Sequence, residues 1–196
     1  IMSDGFFGYP SLCQETITTV EQLSSVQSIG KDHPWIQAHV DYVKEICSHA
    51  GKEVYKYYNI FSPLQYIRLR FEEYDEDFTK FTRLFKENPE VMHTVAKRIA
   101  EDTKALIQKL FTETEVDGIY YSVQCVQDKS FTEAVHKERV EPLDLDVLNY
   151  ILQYTDNVLL HICGYGKYTN HLEWYKDYPV KAFNWAIYSE NISLAE

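Results

Sequence analysis

The apolar positions of this chain alternate between two rhythms. Short runs rich in Tyr, Ile and Val read as extended chain: EVYKYYNIF (Glu53–Phe61), VDGIYYSVQ (Val116–Gln124), NVLLHIC (Asn157–Cys163) and VKAFNWAI (Val180–Ile187). Aromatic and β-branched residues fit a pleated, half-buried surface, and Gly51 and Pro63 bound the first run. NVLLHIC is almost continuously apolar, as a strand buried on both faces would be. A shorter apolar piece, IMSDGFF, opens the chain and breaks at Gly5, giving about five strands in all.

Between these runs the apolar residues recur at helical spacing. HPWIQAHVDYVKEICSHAG has Pro34 near its start, Gly51 just past its end, and Ile36, Val40, Val43 and Ile46 along one stripe. In NPEVMHTVAKRIAEDTKALIQKLF, Asn88 can cap, Pro89 suits the first helical position, and Val91, Val95, Ile99, Leu106 and Leu110 share a face. LDVLNYILQY carries Val147, Leu148, Ile151 and Leu152, and a further helix is expected within YDEDFTKFTRLFKEN.

Buried strands separated by helices of this length predict βαβ units and a parallel sheet. A doubly wound sheet and an eight-stranded barrel both fit. A dinucleotide-binding sheet wants G-x-G-x-x-G after its first strand, and SDGFFGYPS does not supply it. An α/β fold is expected, and the missing fingerprint favours the (β/α)8 TIM barrel, although about five βα units are counted where a barrel needs eight. No repeat or Ser/Gly linker divides the chain, so residues 1–196 read as one domain. The chain starts inside an element and stops at ENISLAE without a cap, so this domain is expected to be an incomplete barrel, part of a longer polypeptide.

Composition narrows the partners. A net charge of -11 disfavours general attraction to nucleic acid or an anionic membrane. No run of apolar residues is long enough to span a bilayer, and IMSDGFFGYPS lacks the basic start of a signal peptide. Cys13, Cys47, Cys125 and Cys163 show no paired spacing, so reduced thiols in the cytoplasm are expected. Sixteen Tyr, with their polar tips, favour the walls of a pocket as much as a dry core.

In a parallel α/β protein the site lies at the carboxyl ends of the strands. That rule nominates Asp4, the Phe61-Ser62-Pro63 turn, Ser122, Gln124, His161, Cys163, Asn184 and Trp185. His161 and Cys163 are two residues apart, so on a strand they point the same way. Imidazole nitrogen and thiolate sulfur are zinc ligands, and a catalytic zinc uses three protein ligands and an open position. The alternative is plain: a hydrogen-bonded core His and a buried Cys. Cys125 and His171 are the nearby candidates for a third ligand. GYGKYT does not meet the phosphate-loop pattern, and its glycines read as a tight turn. Asp4 reads as a turn residue or as an acid in the barrel mouth. FEEYDEDF reads as a solvated helix start.

YNIFSPLQYI, ENPEVMHTVAKRI, VDGIYYSVQ, NVLLHICGYG and YPVKAFNWA together, in this order, resemble the uroporphyrinogen decarboxylase superfamily over nearly the whole chain. The resemblance implies a (β/α)8 barrel and one of two chemistries. Decarboxylases act on a tetrapyrrole in porphyrin biosynthesis without cofactor; for them the resemblance implies Asp4 as the catalytic barrel-mouth acid and puts Gln124 where that branch has a Ser, and with the strand-end residue Ser122, Gln124, Asn184 and Trp185 are the expected substrate-binding residues. Where that branch has Asp-Trp this chain has Asn184-Trp185, and its tyrosine falls near Leu69 or Phe71. Methylcobamide:thiol methyltransferases bind zinc through H-x-C and a later Cys. His161, Cys163 and Gly164 match that motif, which puts the third ligand outside this chain. The first expectation is thus zinc-dependent methyl transfer from a corrinoid, or a corrinoid protein, to a small thiol. The runner-up is the decarboxylase, and a non-catalytic barrel is the third. A homodimer is a further expectation.

Overall fold

Four of the expected strands form one sheet, and their spatial order is their order in the chain. The computed structural model describes residues 2–4, 10–12, 17, 19–72, 79–124, 131–164 and 170–193, with only the backbone of 2–4, 10–12, 70–72 and 79. The elements are β1 (Met2–Asp4), β2 (Pro10–Leu12), α1 (Val20–Ser24), α2 (Pro34–His49), β3 (Tyr57–Phe61), α3 (Pro63–Glu72), α4 (Thr79–Glu87) and α5 (Pro89–Glu113). They continue with β4 (Gly118–Val123), α6 (Glu133–Val135) running through a π-helical turn (His136–Val140) into α7 (Glu141–Ile151), then β5 (Val158–Ile162). A 3-10 turn (Leu172–Tyr175), β6 (Ala182–Trp185) and α8 (Ile187–Glu190) complete the described chain.

The sheet runs β3-β4-β5-β6, and every pair is parallel. Right-handed crossovers between strands in sequence order keep the connections on one face. The core agrees. Ile60, Ile119, Tyr121, Val123, Leu160 and Ile162 pack in one cluster with Leu64, Met92, Ala96, Ile107, Val147 and Ile151 from α3, α5 and α7. α2 forms an outer layer, with Ile36, Val40, Val43 and Cys47 against Leu106 and Leu110 of α5. Its start is held by Pro34 and by His33 Nδ1, which accepts from the Trp35 N–H at 3.1 Å.

The opposite face of the sheet is a different surface. The register aligns Asn59, Tyr120, Leu159 and Ala182 in one row, and Phe61, Ser122, His161 and Asn184 in the next, nearer the carboxyl ends. None of these eight belongs to a core cluster among the described residues. Asn59 and Asn184 are exposed, and Tyr120, Leu159 and His161 are half-buried. Among the described residues the helices of the core clusters pack on one face of this sheet, and the polar rows lie on the other.

Two expectations change. The opening strand does not join the parallel sheet: β1 pairs antiparallel with β2 in a separate hairpin. Only five residues separate them, and a parallel neighbour needs a crossover of a dozen or more. Four parallel strands therefore remain, and Asp4 ends a hairpin strand; its side chain lies outside the described residues. EVYKYYNIF is extended only from Tyr57, with Val54 and Tyr55 left exposed. Pro63 both stops β3 and starts α3, because its fixed φ suits a first helical position. The acidic run lies largely at 73–78, outside the described residues. Among the described residues no helix is long and apolar enough to cross a membrane.

Candidate functional site

His161 is the fourth residue of β5, on the polar face. Its Nδ1 stands 2.6 Å from Asn184 Oδ1, on the neighbouring strand. The Tyr120 hydroxyl donates to that same oxygen at 2.9 Å, and the Tyr120 ring stacks on the imidazole with centroids 5.1 Å apart. An amide oxygen only accepts, so the hydrogen lies on Nδ1. The neutral ring then carries its free lone pair on Nε2.

Cys163 is the first residue past β5, and its N–H still donates to the Val123 carbonyl at 3.0 Å. Its own carbonyl accepts from Asn170 Nδ2 at 3.0 Å. Asn170 is held in turn by Glu190 of α8, whose carboxylate accepts from the Asn170 N–H at 2.9 Å and from Nδ2 at 2.7 Å. Next to Cys163, an added Cβ on Gly164 would sit inside van der Waals distance of Ala186 Cβ. Gly164 is therefore needed for a close approach between the β5 end and the start of α8, and not for the left-handed turn that its sequence context implies. The Tyr120 phenol is pushed above its ordinary pKa, first by burial and then by the charge of Cys163.

The remaining nominated residues divide. Ser122 is buried in the same row and donates to Asn59 Oδ1 at 2.9 Å. Gln124, just past β4, is also buried. Trp185 parts from Asn184: as the next residue on β6 it points to the other face, packs on the helical core and donates from Nε1 to the Ile192 carbonyl. Cys125 lies outside the described residues. His171 stacks on Trp174 at 3.8 Å, and Trp174 in turn lies against His136 of the helical layer. Among the described residues no group of three His, Cys, Asp or Glu side chains is placed to hold an ion. The donor set present is one imidazole nitrogen with its lone pair presented and one thiol. Both are donor types that zinc takes, but a zinc site uses at least three protein ligands, which the described residues do not bring together.

Tyr120, Asn59, Asn170 and Glu190 escape sequence reading. Tyr120 carries a usable signal, since it lies two residues before Ser122 and must share its face. Asn170 and Glu190 carry none.

A second polar cluster lies on the helical side of β4. Tyr121 and Tyr178 hydroxyls each donate to the Asp144 carboxyl at 2.9 Å, and Tyr178 stands 3.4 Å from His136 Nε2. Burial pushes Asp144 up to about 7 against the pull of both hydroxyls, and burial drives His136 down to about 4. This cluster joins π-turn, α7 and sheet inside the core, away from the polar face.

No protein-family model and no curated protein matches this chain in comparison with known proteins.

Proposed function

We propose that this chain is an arc of a (β/α)8 barrel of the uroporphyrinogen decarboxylase superfamily, and that it contributes His161 and Cys163 as zinc ligands to a site for methyl transfer from a corrinoid to a thiol. Two observations support the barrel: consecutive strand order and, among the described residues, helices packed on one face of the sheet. Closing such a sheet turns its uncovered face inward, and that face is where the polar row lies.

The observation that carries the zinc reading is the His161 Nδ1–Asn184 Oδ1 contact. A ligating histidine uses its second nitrogen to donate to a neighbour, which fixes the ring and leaves the other nitrogen for the metal. A zinc ion bound here would lower the pKa of a substrate thiol and make it a better nucleophile. The protein's own groups do the rest. His161 presents Nε2 with the Tyr120 ring stacked against it, and Asn170 fixes the Cys163 backbone. Ser122 and Asn59 complete a neutral lining.

The test is thiol-dependent demethylation of methylcobalamin by the intact, zinc-replete protein, followed by the cobalamin visible spectrum. The expected result is turnover that requires thiol and is lost in His161→Ala. Absence of thiol-dependent turnover in zinc-replete protein would overturn the reading.

A further inference from the structure

The tautomer of His161 is not left to the ring itself. A free neutral imidazole side chain favours the hydrogen on Nε2, which would point an N–H, not a lone pair, into the polar row. Here an acceptor faces Nδ1 instead, at 2.6 Å. Oδ1, not the amide nitrogen, is the atom that faces Nδ1, and the Tyr120 hydroxyl donates to that same oxygen. We propose that Asn184 is a positioning residue: with its Oδ1 turned to Nδ1, it holds His161 as the Nδ1–H tautomer and so makes Nε2 the donor atom of the site.

Three features make the arrangement self-consistent. His161 and Asn184 are direct partners across the β5–β6 ladder, so the register sets their separation. Tyr120 stands one row back on β4, and its ring lies against the imidazole, which fixes the plane in which Nδ1 can donate. Asn184 is exposed on β6, an edge strand among the described residues, so the side chain is not required for core packing. An exposed amide held by two side chains of neighbouring strands has an orienting role that packing does not demand.

That Nε2 binds a metal rests on the proposed function; that Asn184 selects the tautomer does not. The two can therefore fail separately. The experiment is long-range 1H–15N NMR of the His161 ring in the intact, metal-free protein, with zinc titration of the same samples. Wild type is expected to show a protonated Nδ1 and an unprotonated Nε2. Asn184→Ala should shift the neutral ring toward the Nε2–H form and weaken zinc binding by about 10–100-fold. Asn184→Asp keeps an acceptor at that position and should retain the Nδ1–H form, with zinc affinity within a few-fold of wild type. A residue serving only strand stability would not be rescued in this way. An Nε2–H ring in wild type, or the same tautomer in wild type and Asn184→Ala, would overturn the inference. Nδ1–H dependent on Asn184 in a protein that binds no zinc would support the inference and remove the zinc reading.

Discussion

His161 Nδ1 and the Tyr120 hydroxyl converge on one atom, Asn184 Oδ1, at 2.6 and 2.9 Å. The three side chains come from three adjacent strands, so the contact reports the register of β4, β5 and β6 together. Tyr120→Phe keeps the stacked ring and removes the hydroxyl. The expected loss of stability is about 0.5–1.5 kcal/mol, the net worth of one hydrogen bond. Zinc affinity should fall less than in Asn184→Ala, because the acceptor remains. Denaturant unfolding and metal titration measure the two effects.

The two faces of the sheet should respond differently to truncation. Leu160 points into the helical core and is fully buried, whereas Leu159 lies half-buried on the polar face. Leu160→Ala should cost about 2–5 kcal/mol from lost transfer energy and the cavity left behind. Leu159→Ala should cost clearly less. Equal losses in urea unfolding would contradict a polar face left uncovered by helices.

Gly164 and Ala186 form a testable pair. In Gly164→Ala the new methyl meets Ala186 Cβ, and relief requires moving the α8 backbone. The expected cost is about 1–3 kcal/mol, as for other overpacked sites. Ala186→Gly removes the clashing atom and should restore much of that loss in the double variant. Additive costs in a thermal-unfolding cycle would rule out this contact as the reason for the glycine.

The Asp144 cluster should shape stability against pH. Asp144 has its folded pKa raised from 3.8 to about 7. Its contribution is therefore fully present below 3.8 and is lost as pH rises through about 7. His136 is lowered from 6.5 to about 4, so its contribution is present above 6.5 and is lost as pH falls toward 4. The two slopes oppose each other across the shared window. Asp144→Asn keeps a neutral hydrogen-bonding group between Tyr121 and Tyr178 and removes one slope. The variant should gain on wild type as pH rises from 4 to 8, and should lose stability more steeply than wild type on acidification. A constant difference at all pH values would refute this.

How much of this is legible in the sequence depends on whether a signal is local. The four parallel strands are legible because Tyr, Ile and Val cluster between turn residues. The outer helix is legible too, although its seam ends on Cys47 and not Ile46, since 3.6 residues per turn carry the stripe past the expected position. The hairpin β1–β2 is not legible from composition, which gives no partner for a three-residue strand. His161 and Cys163 are visible by type and spacing. What holds them is not: Asn184 lies 23 residues beyond His161, and Glu190 lies 20 beyond Asn170. Those partners become neighbours only through strand register and the packing of α8. Trp185, by contrast, is misplaced by reading a dipeptide as one feature, because adjacent strand residues face opposite ways.

Cobalt(II) titration of the intact, chelator-free protein reads a metal at His161 and Cys163 without recourse to turnover, because a thiolate–cobalt bond gives its own near-ultraviolet charge-transfer band. That band is expected in wild type, with its loss or strong weakening in Cys163→Ser and weaker cobalt binding in His161→Ala. A wild-type protein with no such band, or with a band unchanged in both variants, would contradict a metal held by His161 and Cys163.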